Sequence, residues 1–408
     1  MKVVKAKKST ARKHTFRGEK ISDEYFRLLS SIKPDSEAVL ICGFLGAKNV
    51  GDELMFEAVI RQLSEKQKAT IMLSNNYESP ANDYAPYPTV HFPIEKGDYL
   101  VLAELFGNVM LCGGAMIDDT DYVFLREKST MAYVLLNTVK TFIEKGRRAS
   151  VIGVSANQEI SNKAFICDLQ YIIDNATHFS LRDENSLYTL ILAGINTRPI
   201  KIIDDLSLAC NFENWKPKER KNVFRIGFAH IYTEDSFTDI QKFSADIVKE
   251  AGRLTGKKIE VSLIPFYTYK NHDQKYCARL AKHLDAPTIV LSAPNSARQL
   301  CQIYSECDII ISARYHAILI ATVLGCKILA IDYSKKHRHY PNKIHYIKQK
   351  YNRKLELVDF DRIAAGHDYL GSFRRALKKK NRPFSKRRLQ KIQKKTNSII
   401  KKTKVLTK

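Results

Sequence analysis

The stretch CDIIISARYHAILIATVLGCKILAID, residues 307–332, decides how this chain is read. Its unbroken isoleucine run, Ile309 to Ile311, is the pattern of a strand covered on both faces, because half-exposed strands alternate apolar and polar residues. A helix is expected at 314–325, and the apolar run 317–326 is too short to cross a bilayer. A second apolar strand, 327–332, comes directly after it. Strand, helix and strand in immediate succession imply a crossover and a parallel sheet.

The same alternation continues outward. Strands at 223–229, 259–265 and 287–292, with helices at 237–254, 271–283 and 296–305, lead up to this unit. The charged, proline-bearing segment 211–222 reads as a linker. Before it lie strands at 38–43, 71–75, 108–114, 149–155, 177–181 and 199–204, interleaved with helices at 52–67, 128–145, 162–175 and 183–194. The expected fold class is α/β, with two doubly wound Rossmann-like domains, 37–210 and 222–345. Ligands of such folds bind beyond the carboxyl ends of the strands, so two units in series imply a cleft between them.

Charge is distributed unevenly. The 408 residues carry 67 Lys and Arg against 43 Asp and Glu, a net of +24. Residues 1–18 hold seven basic residues and no acid, and residues 374–408 hold sixteen and no acid. The body between them is close to neutral. The expectation is a near-neutral body with basic N- and C-terminal arms, suited to an anionic partner such as a membrane surface or nucleic acid. Leu389, Ile392, Ile399 and Ile400 fall on one helical stripe of the tail, the pattern of a segment that inserts shallowly into a membrane. Nucleic acid is the weaker partner: Phe373 and Phe384 are the only aromatic residues at or within the tail, and no nucleic-acid motif is present. The eight cysteines form no CxxC pair and read as free thiols of a reducing compartment. The N-terminus lacks the apolar core of a secretory signal. The expected location is cytoplasmic, either soluble or peripheral on the inner face of the plasma membrane.

The chemistry-bearing residues sit where strands meet helices. Gly43 to Glu53 joins the first strand to the first helix and holds Asn49, Gly51, Asp52 and Glu53. It is neither a Walker loop nor a dinucleotide fingerprint. Asp52 reads either as a helix cap or as a cleft carboxylate. Gly113 and Gly114 end another strand and are followed by Asp118, Asp119 and Asp121, acids that suit a sugar, a metal or plain solvent. Arg182 ends a third strand and is equally a structural or an anion-binding arginine. Ser312, Arg314 and His316 stand at the most apolar strand-to-helix junction of the chain. An arginine and a histidine there cost stability unless they have partners, and together at a helix N-terminus they make a preorganised anion site. Lys335 and Lys336, after the next strand, reach the same rim.

With these motifs in order, the chain resembles the polysaccharide pyruvyltransferase family over roughly 37–336. Asn49, Gly51, Asp52 and Glu53 match one family signature. Ser312, Arg314, His316, Ala317, Gly325, Tyr333 and Lys336 match a second. Asp204 and Asp205 and the stretch from Arg182 to Ser186 fall in the family order. Tyr315 replaces a leucine, Ser334 and Lys335 replace an acid and a proline, and 154–157 replaces a glycine-rich stretch.

The resemblance implies a two-domain fold of the glycosyltransferase-B type. It also implies transfer of the enolpyruvyl carbon of phosphoenolpyruvate to two sugar hydroxyls of a cell-surface glycan or its lipid-linked precursor. Phosphoenolpyruvate is then a co-substrate, and no cofactor or metal is implied. Arg314, His316 and Lys336 are implied as donor-handling residues. Asp52 is the expected base or acceptor toward the sugar hydroxyl. Arg182, Asn49, Gly51, Glu53, Gly113, Gly114 and Ser312 are expected to bind substrate. The competing readings are a nucleotide-sugar-dependent glycosyltransferase of the same fold, a nucleic-acid binder working through its arms, and a catalytically inactive scaffold.

Overall fold

The computed structural model describes residues 14–46, 48–63, 69–73, 86–119, 131–156, 159–212, 218, 221–333, 343–379 and 381–405. The described residues begin with a hairpin, β1 (His14–Phe16) and β2 (Glu19–Ile21), and helix α1 (Asp23–Ser31). Then come β3 (Asp35–Cys42), α2 (Val50–Ile60), β4 (Ala69–Leu73), β5 (Thr89–His91) and α3 (Lys96–Leu105). They are followed by β6 (Phe106–Cys112), α4 (Met131–Glu144), β7 (Arg148–Val154) and α5 (Lys163–Asn175). The elements β8 (His178–Leu181), α6 (Glu184–Leu192) and β9 (Lys201–Ile202) complete the N-terminal half.

The C-terminal half starts with β10 (Val223–Ala229), α7 (Glu234–Thr255), β11 (Lys258–Leu263), α8 (His272–Ala281) and β12 (Thr288–Val290). It continues through α9 (Ala297–Ser305), β13 (Ile309–Ser312), α10 (Tyr315–Leu324), β14 (Ile328–Asp332) and α11 (Lys343–Lys350). Last come β15 (Glu356–Asp359), α12 (Phe360–Ala364), α13 (Leu370–Lys378) and α14 (Lys386–Val405).

Two parallel sheets result, in the order β5-β4-β3-β6-β7-β8-β9 and β12-β11-β10-β13-β14-β15. The continuous apolar runs explain them: every residue of β6 and of β13 is buried, as a parallel strand covered by helices on both faces must be. In each sheet the winding reverses once, between β3 and β6 and between β10 and β13. These switch points are where doubly wound folds leave a crevice for ligands.

Helix α2 joins the two halves. Val50, Leu54 and Ala58, one turn apart on one face, pack with Ala229, Ile264 and Phe266 of the C-terminal half. Met55 and Val59, on another face, pack with Val39 and Ile41 of the N-terminal sheet. Apolar residues on two faces of one helix each need cover, and here each domain covers one face.

The two arms differ from the sequence expectation. Residues 14–18 belong to the hairpin, whose Arg17 pairs with Glu104 at 2.6 Å and whose Lys20 pairs with Glu95 at 2.8 Å; residues 1–13 lie outside the described residues. The tail is structured. Helix α13 packs on the C-terminal sheet through buried Phe373 and Ala376. Helix α14 returns to the N-terminal half. Ile392 and partly buried Leu389 join the core that contains α10, while Ile400 and Ile399 join the one beneath β3. Gln393 donates to the Cys210 carbonyl at 2.9 Å. The stripe read as membrane-inserting is therefore occupied within the chain: burying it against its own domains satisfies the same apolar face. The outer face stays basic, with Lys391, Lys394 and Lys395 exposed.

The C-terminal sheet also runs past the expected limit at 345, to β15. The expected linker falls largely outside the described residues. All eight cysteines are unpaired, and only Cys167 is exposed. Among the described residues no helix is long and apolar enough to cross a membrane.

Candidate functional site

The two switch points face one cleft of about 530 Å³. From the N-terminal half it is lined by Asn49 and Asp52 of the β3–α2 turn, Gly114 after β6, and Arg182 after β8. From the C-terminal half come Thr233 before α7, Arg314, Tyr315 and His316 at the start of α10, and Lys343 at the start of α11. Helix α10 begins at this space, with Tyr315 and His316 of its first turn in the lining, a setting that favours anions; the first N–H groups of α2 are already taken, by the Phe266 carbonyl and by Asn49.

Arg314 is the most firmly held of these groups. Its backbone N–H donates to Ser312 Oγ at 2.9 Å, and that hydroxyl donates to the Ala229 carbonyl at 2.6 Å. Its Nε donates to the His230 carbonyl at 3.1 Å. Its Nη2 donates to both oxygens of Asp273, at 2.7 and 2.9 Å. Nη1 is left without a protein partner among the described residues, on a side chain that lines the cleft. Burial, and then the neighbouring Arg314, hold the His230 imidazole down at about 3, so it stays neutral and adds no charge beside the guanidinium.

A second network crosses between the halves. Arg182, almost wholly buried, donates from Nη1 to Asp205 Oδ2 at 3.0 Å. His316 Nε2 lies 3.4 Å from the same oxygen, close enough for attraction but not aligned as a hydrogen bond. Burial pushes the Asp205 carboxyl up, but His316 and Arg182 outweigh it and hold the group well below the usual range. Arg182 also lies over the Tyr315 ring, 4.8 Å from its centroid, a cation–π contact. Arg182 Nε and His316 Nε2 are both buried without a hydrogen-bond acceptor. Donors left unpaired in this way are costly; both side chains line the cleft, but these two nitrogens are closed off from it.

The glycines serve this packing. A Cβ at Gly51 would fall 2.5 Å from His316 Cγ, so only glycine lets the imidazole lie against α2. Gly114 sits at φ +77, and a Cβ there would lie 3.4 Å from Asp52 Oδ1. Asn49, and not Asp52, caps α2: its side chain accepts the Gly51 N–H at 3.2 Å. Asp52 is thereby left facing the cleft. Burial pushes its carboxyl up to about 8; Arg182 pulls it down, while Glu53 and Asp205 add to the rise. At neutral pH it keeps its proton. Lys343 is the counterpart. Desolvation, and then repulsion from Arg182, lower its ammonium to about 7, while Asp183, Asp52 and Asp118 act in the opposite direction. The cleft thus holds a carboxyl and an amine that both titrate near neutrality, a common property of acid–base sites.

A sequence profile described as Polysaccharide pyruvyl transferase matches residues 49–335, well over half of the chain. The chain belongs to the polysaccharide pyruvyl transferase family. No curated protein matches it. Among solved structures it is similar to the UDP-GlcNAc 2-epimerase of Methanocaldococcus jannaschii, with a TM-score of 0.54 and 12% identity over 89% of this chain and 98% of that one. The Neisseria meningitidis UDP-GlcNAc 2-epimerase bound to UDP-GlcNAc is similar at a TM-score of 0.53 and 11% identity, over 91% of this chain and 100% of that one. At such identities the likeness establishes the fold alone. That fold is the glycosyltransferase-B type with two Rossmann-like halves.

Of the residues singled out in this family member's sequence, the cleft brings together Asn49, Asp52, Arg182, Arg314, His316 and Gly114. Others act from behind it. Ser312 is wholly buried, so it holds the Arg314 turn instead of touching a ligand. Gly51 backs His316, and Gly113, at φ +60, backs Met55. Glu53 is outside the cleft lining and acts on Asp52 through charge. Lys336, like Asp121, lies outside the described residues. Sequence reasoning did not single out Lys343 or Asp273. Lys343 begins an ordinary-looking basic helix, and Asp273 resembles any first-turn acid.

Proposed function

We propose that the protein transfers the enolpyruvyl group of phosphoenolpyruvate to two hydroxyls of one sugar, closing a cyclic pyruvate ketal on a cell-surface glycan or its lipid-linked precursor. The observation that carries this reading is the meeting of Arg314, Arg182, His316 and Lys343 with one protonated carboxyl, Asp52, in the cleft of a polysaccharide pyruvyl transferase family member. The donor carries a carboxylate and a phosphate, and converging cations suit both.

The chemistry sets the roles. A proton must reach the donor's methylene carbon, making it a methyl group and leaving the adjacent carbon cationic. One sugar hydroxyl attacks that carbon and loses its proton. Phosphate then leaves with the C–O bond electrons, and the second hydroxyl takes its place and loses its own proton. Of the two hydroxyl protons, one balances the methyl group and the other leaves with phosphate.

Arg314, whose side chain lines the cleft, grips the carboxylate or the phosphate. His316, held against Gly51 near Asp205, donates to the phosphate oxygens and passes a proton. Asp52 begins as an acid and becomes the base for a hydroxyl once its proton is spent. Lys343 offsets charge on the departing phosphate.

A lipid-linked acceptor would bring the enzyme to an anionic cytoplasmic membrane surface, and the exposed lysines of α14 suit that contact. The experiment is phosphate release from phosphoenolpyruvate measured against nucleotide release from sugar nucleotides. Phosphate release that depends on a glycan supports this reading. Nucleotide release alone would replace it with a glycosyltransferase.

A further inference from the structure

The segment from Phe266 to Asp273 is attached on two sides. Toward the N-terminal half, Val50 N–H donates to the Phe266 carbonyl at 2.9 Å and Thr268 N–H donates to the Lys48 carbonyl at 3.1 Å. Asn49 and Tyr267 form an antiparallel bridge between these two hydrogen bonds. Toward the cleft, the buried Asp273 carboxylate holds Arg314 Nη2 at 2.7 and 2.9 Å. The same carboxylate accepts the backbone N–H groups of Phe266 at 2.9 Å and Tyr267 at 2.8 Å, both through Oδ2. His272 Nδ1 lies 3.0 Å from Oδ1.

Asp273 is therefore not an ordinary helix-start acid. Its side chain turns away from the N–H groups of α8 and back to the preceding segment, while Asn271, at the N-cap, makes no capping bond. The backbone here is also strained. Lys270 and Asn271 have φ of 50° and 56°, and Lys48 on the facing segment has φ of 51°. Residues other than glycine hold the left-handed conformation only where their surroundings impose it.

We propose that Asp273 is a positioning residue that couples the docking of α2 on the C-terminal half to the orientation of Arg314. The two oxygens of a carboxylate are a rigid pair. Oδ2 is fixed by the amides of Phe266 and Tyr267, so the guanidinium follows those residues. They are in turn fixed by Lys48, Asn49 and Val50, the entry to the helix that carries Asp52. The arginine that binds the anion is aligned when the two halves are docked, and loosened when that bridge opens. The inference rests on Arg314 binding an anion, as the proposed function has it.

The test is hydrogen exchange on the full-length protein, in peptides covering 48–55 and 264–270. Variants are Arg314→Ala and Asp273→Asn, with inorganic phosphate as the probe. An asparagine with its carbonyl oxygen in the place of Oδ2 keeps the backbone amides, but it loses the negative charge and sets an NH2 donor against Arg314 Nη2 where Oδ1 had accepted. Arg314→Ala, which has no hydrogen bond to either peptide, should speed exchange at both by ~10-fold or more. Phosphate should slow exchange in the wild type and have no effect in Asp273→Asn. Asp273→Asn should also raise KM for phosphoenolpyruvate by ~10-fold with a smaller change in kcat. If Arg314→Ala keeps its melting temperature and its exchange at both peptides matches the wild type, Asp273 is only a cap and the coupling is wrong. If exchange responds as expected but the wild type does not turn over phosphoenolpyruvate, the coupling stands and the proposed donor falls.

Discussion

Replacing Gly51 with alanine adds one methyl group at the contact between α2 and the His316 ring. That Cβ would overlap His316 Nδ1 and lie 2.5 Å from Cγ and 2.6 Å from Cε1. Carbon atoms pack at about 3.5–4.0 Å, so the ring must retreat by at least about 1 Å or the two halves must part by as much. The substitution is otherwise benign. Gly51 is helical, and alanine is favoured over glycine in a helix by about 0.5–1 kcal/mol. The variant should fold and melt within a few degrees of the wild type. A displacement of about 1 Å in a group that handles protons costs on the order of 100-fold in rate, equivalent to about 2.7 kcal/mol of barrier.

The assay is single-turnover phosphate release from phosphoenolpyruvate in the presence of acceptor, beside a thermal melt. The double variant Gly51→Ala with His316→Ala adds a control. Once the ring is gone the methyl group has nothing to strike, so the pair should lose no more than His316→Ala alone. Near wild-type turnover in Gly51→Ala, or fully additive losses in the double variant, would refute the placement of His316 against α2.

Other outcomes follow from the same geometry. The Asp52 carboxyl titrates at about 8 in the folded chain against 3.8 when free, so the native state keeps a proton that the unfolded chain loses across that window. That term favours the fold at low pH and is lost as pH rises toward 8. The stability of Asp52→Asn relative to the wild type, from denaturant melts at several pH values, should therefore grow between about pH 4 and 8; a flat difference would mean an ordinary carboxylate. Turnover should fall as pH rises through about 8 in the wild type, where Asp52 loses its proton. Lys343→Met should lower turnover by ~10-fold or more with the fold intact, and Lys343→Arg should recover part of it while flattening the limb near pH 7. Ile400→Ala should cost about 2–5 kcal/mol in a denaturant melt, whereas a free arm would cost nothing. Charge reversal by Lys391→Glu with Lys394→Glu should weaken binding to anionic vesicles by at least ~10-fold without changing the melting temperature; unchanged binding would remove the membrane role of this helix.

The strongest local patterns carried the most into the structure. The strand–helix–strand unit of β13, α10 and β14 is legible because its residues are apolar without interruption, which leaves a buried parallel crossover as the solution. The edge strands β5 and β9 are three and two residues long, too short for any periodicity to show. The stripe Leu389, Ile392, Ile399 and Ile400 is visible in the sequence, but a stripe does not say what covers it. In the fold the covering surface comes from other elements, the core around α10 for Leu389 and Ile392 and the one beneath β3 for Ile399 and Ile400.

The site divides the same way. Arg314 and His316 stand out because charge is conspicuous at an apolar junction. Asp52 is ambiguous by sequence, since Asn49 and Asp52 are both capping types; the structure gives the cap to Asn49 and leaves Asp52 to the cleft. Ser312 ends its strand with its side chain turned inward, a choice of face that spacing alone does not fix at a strand end. Lys343 and Asp273 acquire their meaning only from neighbours brought by other elements, Asp52 and Asp183 for one and Arg314 for the other.

The central claim is that this cleft moves an enolpyruvyl group. The direct measurement is incubation of the purified protein with phosphoenolpyruvate and a panel of soluble and lipid-linked glycans, following acceptor mass and released phosphate together. The account predicts one phosphate released for each acceptor that gains a pyruvate ketal, and loss of both signals in Arg314→Ala and His316→Ala. Phosphoenolpyruvate left intact across the panel, with sugar nucleotides consumed in its place, would contradict it.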